Sequence, residues 1–274
     1  MKPSHFDYVR PKSLADAIAA LGQPGTVAIA GGQSLLPLLS LRMAPADRLV
    51  DIGRLDELRG ASQTADTVRI GAGITHAAIE DGKVADPSHG LMRKVASGIA
   101  YRAVRNHGTI GGSVALADPA ADWPVCLIAL RALARIAGPG GERTETVAQF
   151  VRGAYTTSLV AGEIITAFDV PRHTTAPRFG YVKVARKSGA FANAIACVFR
   201  PATGGATAVL GGTTTQAQLL PRLAGYLAEG ALPAEDPLRA AITADLGAIA
   251  PDADAYQQRL YTAVLLRAVR EAYA

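Results

Sequence analysis

The stretch Thr109-Ile110-Gly111-Gly112-Ser113-Val114-Ala115-Leu116-Ala117-Asp118-Pro119-Ala120-Ala121-Asp122 decides the architecture expected of this chain. An earlier stretch, Ala30-Gly31-Gly32-Gln33-Ser34-Leu35-Leu36-Pro37, has a related pattern. In both, two glycines follow a short apolar or β-branched run, where the backbone can turn with positive φ or approach a ligand closely. We call residues 30–37 the first glycine segment and residues 109–113 the second, and we expect them to form two sides of one binding cradle.

Anion binding is the chemistry expected of this cradle. Both glycine pairs lead toward a helix start or a tight turn, where successive backbone N–H groups lack acceptors within the chain. Such unpaired donors favour a phosphate or a diphosphate, and Ser34, Thr109 and Ser113 add hydroxyl groups. A single Gly-Gly pair is usually an ordinary turn, whereas two pairs in long specific contexts favour a ligand site. The sequence contains neither a Walker lysine motif nor the Gly-x-Gly-x-x-Gly of a dinucleotide fold.

Composition limits the class of protein. With 274 residues, 49% hydrophobic and 19% charged, the chain is long and apolar enough for two or three packed subdomains. The net charge of +5 is spread along the sequence without a basic run, which argues against nucleic-acid binding. No run approaches the ~20 apolar residues of a membrane span, and residues 1–6 lack the apolar core of a secretory signal. We therefore expect a cytoplasmic protein without a membrane span.

Cysteine and histidine provide no metal site. The sequence contains two cysteines, Cys126 and Cys197, so it has neither a C-x-x-C pair nor the four cysteines of an iron–sulfur centre. Its five histidines are scattered without metal-ligand spacing and are expected to be polar surface residues. His107 directly precedes the second glycine segment, so it is an additional candidate for a ligand contact. Any iron–sulfur cluster that works with this chain must be carried by another polypeptide.

The order of predicted elements indicates an α+β protein in three parts. Residues 1–55 are expected to form a small βαβ unit, residues 56–172 a larger mixed subdomain, and residues 177–274 an antiparallel sheet covered by helices, after a linker at residues 173–177. Residues 56–66 are predicted to be a loop, and residues 105–113 are predicted to be the loop that carries the second glycine segment. Strands are predicted at residues 27–30, 48–52, 68–71, 132–137, 163–170, 178–186, 194–200 and 206–210, and helices at 14–21, 35–41, 75–80, 91–99, 123–130, 216–229, 236–246 and 254–273.

Both glycine segments, together with residues 117–122, resemble the two flavin-binding motifs of the FAD-carrying medium subunit of molybdenum hydroxylases. That family includes the carbon monoxide dehydrogenase flavoprotein and the flavin domain of xanthine dehydrogenase. The resemblance extends from Phe6 to the last helix. It implies a two-subdomain FAD-binding fold of the PCMH/VAO type, with FAD stretched between the first two parts, followed by a C-terminal flavoprotein domain.

The resemblance also implies a function. The chain would bind FAD non-covalently and act as an electron-transfer subunit, with molybdopterin on a large partner subunit and [2Fe-2S] clusters on a small one, in a dimer of heterotrimers. Electrons would leave through FAD to an external acceptor, which is NAD, oxygen or a quinone. A stand-alone FAD-dependent oxidoreductase with its own small substrate is the alternative, as is a subunit that has lost flavin chemistry. The substrate at the molybdenum centre is not readable from this chain.

The resemblance assigns the site residue by residue. The N–H groups of residues 31–35 would hold one side of the FAD diphosphate, and the second glycine segment would hold the other. On this reading Gly111→Val or Gly32→Val abolishes FAD retention, because a branched side chain fills the space of the phosphate. No residue is expected to be catalytic. The expected cofactor-binding residues are Ala30, Gly31, Gly32, Gln33, Ser34, Leu35, Thr109, Ile110, Gly111, Gly112, Ser113, Asp118, Asp122, Ile165 and Lys183.

Three of these residues, Asp118, Ile165 and Lys183, each have an alternative interpretation. Asp122 matches the family position that accepts from the ribityl hydroxyls, whereas Asp118 is either a ligand or a helix cap. Ile165 lies in the segment that sets an aliphatic side chain against the isoalloxazine ring, or is simply a core strand residue. Lys183 would place positive charge near the ring, or is a solvated strand lysine. Gln33 stands where some relatives have histidine, and residues 186–193 match the family too loosely for roles to be assigned.

Overall fold

The computed structural model describes residues 2–227 and 231–274 of the chain. Within these residues the backbone forms three main sheets of three, five and four strands, together with a peripheral pair of strands. Helices pack on the sheets, so the predicted α+β class is confirmed. The boundaries assigned to the three predicted domains stay a prediction.

The N-terminal sheet is parallel, in the order β1-β3-β2. Helix α1 connects β1 to β2, which confirms the predicted βαβ unit. It begins after Ser13, whose hydroxyl accepts from the N–H of Asp16, and it ends at Gly22. The elements are β1 (Asp7–Val9), α1 (Leu14–Leu21), β2 (Thr26–Ile29), α2 (Leu35–Ser40) and β3 (Arg48–Asp51).

The middle sheet is antiparallel, in the order β4-β5-β10-β6-β7, so its central strand comes last in the chain. Five short helices, α3 to α7, lie in the connection between β5 and β6. After a short 3-10 helix (Asp56–Leu58), the elements are β4 (Ala61–Gln63), β5 (Thr67–Gly71), α3 (His76–Glu80), α4 (Leu91–Ser97), α5 (Arg102–Arg105), α6 (Ile110–Leu116), α7 (Asp122–Ala129), β6 (Leu133–Gly138), β7 (Gly141–Thr146), α8 (Val147–Phe150), β8 (Val151–Gly153), β9 (Thr156–Thr157) and β10 (Ile164–Pro171).

The C-terminal sheet is antiparallel, in the order β11-β12-β13-β14. Helix α11 packs on β11 and β12, and a Cβ at Gly180 would overlap the carbonyl oxygen of Ala268, so glycine permits this close contact. The predicted sheet with helices on it is therefore present. The elements are β11 (Arg178–Ala185), β12 (Ala192–Arg200), β13 (Thr207–Gly211), β14 (Gln218–Leu219), α9 (Pro221–Leu227), α10 (Glu235–Ile249) and α11 (Ala255–Tyr273).

Helix α7 joins the middle and C-terminal sheets in one core. All eight of its residues are buried, and it contacts both β12 and β13. The largest fully buried side chains of the shared cluster are Trp123, Phe150, Phe168 and Phe199, each at most 2% exposed. Burial of these rings contributes roughly 2–3 kcal/mol each to the hydrophobic term of folding. The core therefore fixes Asp122, at the start of α7, relative to strand β11.

Three predictions of local structure are wrong, and some strands were missed. Residues 56–66 are not a loop, because they contain the 3-10 helix and β4, and residues 105–113 already include the first turn of α6. Strands β7 to β9 were not predicted. The predicted helix at 216–229 begins only at Pro221, since residues 218–219 pair with β13, and its last two positions lie outside the described residues. Tertiary pairing overrides local propensity at these places.

In the part of the chain that the structure describes, the helices are too short or too polar to cross a bilayer.

Candidate functional site

A cleft of about 500 Å³ lies between the N-terminal sheet and the middle sheet. Both glycine segments line it. Of the fifteen residues expected to bind a cofactor, fourteen line this cleft, and Ile110 instead points into the core with no exposed surface. Residues that are 153 positions apart in the sequence, such as Ala30 and Lys183, therefore share one cavity.

The two glycine segments lie against each other. A Cβ built on Gly31 would overlap the carbonyl oxygen of His107 and would lie 2.8 Å from Cα of Gly108. A Cβ on Gly112 would lie 3.9 Å from Cβ of Ala30. Glycine at position 31 is thus required because the backbone of residues 107–108, directly before the second glycine segment, occupies the space of a side chain.

The first glycine segment presents a run of free donors. Among the described residues, the backbone N–H groups of residues 31–35 have no hydrogen-bond acceptor. Gly32 has a φ of +69°, and Gln33 Nε2 donates a hydrogen bond to the Gly31 carbonyl oxygen at 3.0 Å. Ser34 stands at the N-cap of α2, yet its hydroxyl makes no capping bond. Five successive N–H groups and one hydroxyl are therefore available to an anion in the cleft.

The second glycine segment is different, and the expectation of unpaired donors is wrong there. Its residues form the first turn of α6, with Thr109 as the N-cap. The Gly111 N–H donates to the Ala72 carbonyl at 2.9 Å, and the Gly112 N–H donates to Thr109 Oγ1 at 3.0 Å. The N–H groups of Ile110 and Ser113 are paired with backbone carbonyls. This segment therefore offers a close backbone surface and hydroxyl groups, not a row of free donors.

The reason expected for the effect of Gly111→Val is also wrong. A Cβ at Gly111 would lie 2.5 Å from Cβ of Ala72 and 2.7 Å from its carbonyl oxygen. A valine there collides with the core of the middle subdomain and not with a ligand. Gly112 is the exposed glycine of the pair.

Asp122 forms the electrostatic centre of the cleft. It is 5% exposed and accepts hydrogen bonds from the Tyr181 hydroxyl at 2.5 Å and from Lys183 Nζ at 2.9 Å. Burial raises the pKa of Asp122, while the Lys183 ammonium and the Tyr181 hydroxyl oppose that rise. Burial and the nearby Asp122 carboxylate raise the pKa of Tyr181. The solvated-lysine interpretation of Lys183 is wrong, because its side chain is 14% exposed and paired.

Asp118 and Ile165 line the cleft in different ways. Asp118 accepts from the Ala120 N–H at 2.9 Å and from the Tyr155 hydroxyl at 3.2 Å, so it holds the turn that precedes α7. Ile165 lies in β10 with 4% exposure and supplies an aliphatic wall. Neighbouring Glu163 also lines the cleft and is fixed by Arg143, with both distances 2.7 Å.

Among the cleft residues that were not predicted from the sequence are His76 and Phe191. His76 was expected at the surface, but it is 6% exposed and its Nδ1 accepts from Trp123 Nε1 at 2.9 Å. Its position directly before the apolar run 77–79 is the signal of burial. Phe191 lines the mouth of the cleft with a phenyl ring that is 67% exposed, in a stretch where the sequence assigned no roles.

Folding stability is expected to fall in acid because of His76. Burial, with a smaller contribution from Arg105, lowers the pKa of His76 to about 4, against 6.5 for a free imidazole. Below pH 6.5 the unfolded chain binds a proton that the folded chain does not bind until about pH 4. The free energy of unfolding therefore falls by roughly 3 kcal/mol across this window. Denaturant titrations of wild type and His76→Gln between pH 7 and 4 measure this fall in the free energy of unfolding. The free energy of the variant is expected to depend less on pH, and equal pH dependence in both proteins contradicts the assignment.

A family model described as the FAD binding domain in molybdopterin dehydrogenase matches residues 4–173. The chain belongs to the FAD-binding medium subunits of the molybdenum hydroxylases. This medium subunit is 34% identical to the carbon monoxide dehydrogenase medium chain of Afipia carboxidovorans. The alignment has 284 positions and covers 100% of this chain and 99% of the relative. The resemblance inferred from the two glycine segments is thereby confirmed.

Solved structures agree with this assignment. The medium subunit matches a chain of carbon monoxide dehydrogenase from Hydrogenophaga pseudoflava, in a form lacking the Mo-pyranopterin moiety, with a TM-score of 0.92 and 31% identity over 100% of this chain and 99% of the other. It also matches quinoline 2-oxidoreductase from Pseudomonas putida 86, with a TM-score of 0.89 and 32% identity over 100% and 98%. The medium subunit is thus part of a multi-subunit oxidoreductase, with FAD as its cofactor.

The residues of the cleft fit FAD. A diphosphate needs neutral or positive donors at close range, and residues 31–35 provide five free N–H groups next to the Ser34 hydroxyl. The flavin and sugar parts need an apolar wall with few polar anchors, which Ile165, Asp122 and Lys183 provide.

Proposed function

We propose that this medium subunit binds one FAD non-covalently in the cleft and works as the electron-transfer subunit of a molybdenum-containing hydroxylase. Bound FAD supplies the redox chemistry, taking electrons from iron–sulfur clusters on a partner subunit and passing them to an external acceptor. The observation that carries the proposal is the convergence of both glycine segments on one cleft, where residues 31–35 leave their N–H groups free. Neither cysteine lines that cleft in the described part of the chain, which supports non-covalent binding.

The first glycine segment binds the diphosphate in this proposal. The N–H groups of residues 31–35 are neutral donors, so this segment can hold the two phosphates without a cationic side chain of its own. Ser34 adds a hydroxyl that is not used by the fold. Gly112 is exposed next to Ala30, and its missing side chain lets the ligand approach the first turn of α6.

Asp122, Lys183 and Ile165 orient the rest of the cofactor. An ionised carboxylate has about four lone-pair sites, and Tyr181 and Lys183 use only two of those on Asp122, so the others accept from ribityl hydroxyls. The Lys183 ammonium places a positive charge in the cleft, where it favours negative charge on the ligand. Ile165 provides an aliphatic contact surface for a flat ring.

The partners follow from what the chain lacks in this proposal. An iron–sulfur cluster is held by four cysteine thiolates, whereas the sequence has two cysteines and both are buried. We therefore assign the clusters to a small subunit and molybdopterin to a large one, in a dimer of heterotrimers. The acceptor is NAD, oxygen or a quinone, no nucleic acid is bound, and the complex is cytoplasmic. Residues 1–55, 56–172 and 177–274 are the proposed domains.

FAD binding by the isolated full chain tests the proposal. We expect the purified chain to take up one FAD per chain, seen as quenching of flavin fluorescence and as flavin absorbance after gel filtration. Ser34→Ala is expected to weaken FAD binding roughly fivefold to tenfold, since it removes one hydrogen bond to a charged group. Ser62→Ala, at an exposed edge-strand position, is the control and leaves the affinity unchanged. A chain that takes up no FAD, even when folded, contradicts the proposal.

Reduction assays separate electron transfer from the stand-alone alternative. The FAD-loaded chain alone is expected to show no flavin bleaching with purines, N-heteroaromatic compounds or aldehydes, whereas the complete complex bleaches with its own substrate. Stopped-flow reoxidation of the chemically reduced chain by NAD, oxygen and a quinone then identifies the acceptor. Bleaching by a small substrate in the isolated chain favours the stand-alone oxidoreductase.

A further inference from the structure

The hydrogen bond between Trp123 and His76 fixes where the imidazole carries its proton. An indole Nε1–H only donates, and it lies 2.9 Å from His76 Nδ1. Nδ1 must therefore accept, and the proton of the neutral ring lies on Nε2. Trp123 itself has no exposed surface, and the His76 N–H donates to the Gly108 carbonyl at 2.9 Å. The ring is held from both its side chain and its backbone.

The Nε2–H donor has no acceptor in the described part of the chain. Its neighbour on that side is Gly108, where a Cβ would lie 2.7 Å from Nε2 and would fill the adjacent space. His76 and Gly108 both line the cleft. Among the described residues, Arg48 Nε is the fully buried side-chain polar atom left without a partner, so Nε2 of His76 keeps access to the cleft. Gly108 leaves room there for an acceptor beside it.

The surroundings of His76 keep the ring neutral. Arg105 lies nearby and is held by both carboxylate oxygens of Glu80, at 2.8 and 2.9 Å. Its positive charge and the burial of the ring disfavour imidazolium at neutral pH. The cleft therefore contains a fixed, uncharged N–H donor in addition to the free backbone donors of residues 31–35.

We propose that His76 is a cofactor-binding residue whose Nε2–H donates a hydrogen bond to an acceptor oxygen of FAD, and that Trp123 is a positioning residue that holds the donating tautomer. This inference rests on the proposed function, because it needs FAD in the cleft. It adds to the two glycine segments a side-chain contact from α3, an element that neither segment belongs to.

Nitrogen NMR of the imidazole rings tests the proposal in the wild-type chain. The full chain is labelled with 15N-histidine, and its five histidines are assigned by single substitutions. We expect His76 to show the Nε2–H tautomer with and without FAD, and we expect FAD to shift its Nε2 proton and to slow exchange of that proton with water. An Nδ1–H tautomer overturns the proposal, and so does an Nε2 proton that FAD leaves unchanged.

Substitutions provide a second measurement by FAD titration. His76→Phe is expected to weaken FAD binding roughly fivefold to tenfold, whereas His76→Gln keeps a side-chain N–H donor and stays within about threefold of wild type. Trp123→Phe removes the hydrogen bond that fixes the tautomer, so part of the His76 population carries its proton on Nδ1. FAD binding is then about twofold weaker, because only the population with the proton on Nε2 can donate. His5→Phe, at an exposed position outside the cleft, is the control.

The outcomes separate this inference from the proposed function. If wild type takes up no FAD, the proposed function fails, and the His76 contact fails with it. If wild type binds FAD and a folded His76→Phe binds it equally well, only the His76 contact is overturned. Where His76→Phe does not fold, the NMR exchange measurement on wild type decides.

Discussion

Replacing Gly31 with alanine is expected to lower FAD affinity about 10- to 100-fold. The new Cβ overlaps the carbonyl oxygen of His107 and approaches Cα of Gly108 to 2.8 Å, so one backbone must move away from the other. Overpacking of this kind costs about 1–3 kcal/mol, which corresponds to the stated loss when the strain is relieved by opening the cleft. Fluorescence titration with FAD measures the affinity, and thermal unfolding with and without FAD shows how much of the cost is carried by the fold.

Gly140→Ala is the matched control for this experiment. Gly140 lies in the turn between β6 and β7, has no atom within 4 Å of its would-be Cβ, and does not line the cleft. Its substitution leaves FAD affinity and melting temperature near wild type. Wild-type FAD affinity in Gly31→Ala is incompatible with a cleft built from the junction of the two glycine segments.

Asp122→Ala is expected to cause the largest loss of stability among the cleft residues. It leaves the Tyr181 hydroxyl without its acceptor, and it leaves the Lys183 ammonium, with a side chain 14% exposed, with only the Gly98 carbonyl at 3.3 Å. Removing one partner of a buried ion pair costs about 3–5 kcal/mol, which lowers the melting temperature by roughly 6–15 °C in a chain of this size. Differential scanning calorimetry measures it, and FAD affinity is expected to fall as well.

A double variant shows whether this loss comes from the stranded charge. Asp122→Ala combined with Lys183→Met removes both charges, so we expect it to recover about half or more of the stability lost in Asp122→Ala. Asp252→Ala, at an exposed position, controls for loss of a carboxylate. If the single and the double variant have the same melting temperature, Lys183 is not electrostatically coupled to Asp122.

Much of the fold could be predicted because local patterns agreed with tertiary packing. Ser13 begins α1 and Thr75 begins α3 through side-chain caps, as their positions before apolar runs indicate. Strands β11 to β13 are runs of mainly apolar residues, and β12 and β13 are almost entirely buried, so their approximate bounds were readable from the sequence. Strands β4 and β8 have three residues each and β7 is mostly polar, so only pairing with a neighbour makes them strands.

The site was predictable to the level of segments and less so to the level of atoms. Glycine pairs indicate where other atoms approach the backbone closely, but they do not indicate which atoms these are. At Gly31 and Gly111 the space of a side chain is occupied by other parts of the protein. Two acceptors for the second glycine segment, the carbonyls of Ala72 and Ile74, lie more than thirty residues earlier, so no local pattern reveals them. His76 was missed for the same reason, because its partner Trp123 is 47 positions away.

Strand β10 has a consequence for how the medium subunit is made. It is synthesised last in its sheet yet inserts between β5 and β6, and the Ala72 N–H that borders the cleft donates to Thr166. Until residue 171 has left the ribosome, β5 and β6 each present an open edge that invites mispairing with other chains. Shorter nascent chains therefore carry both glycine segments without the wall that completes the cavity. Loading of the cofactor must wait until well over half of the polypeptide has been translated.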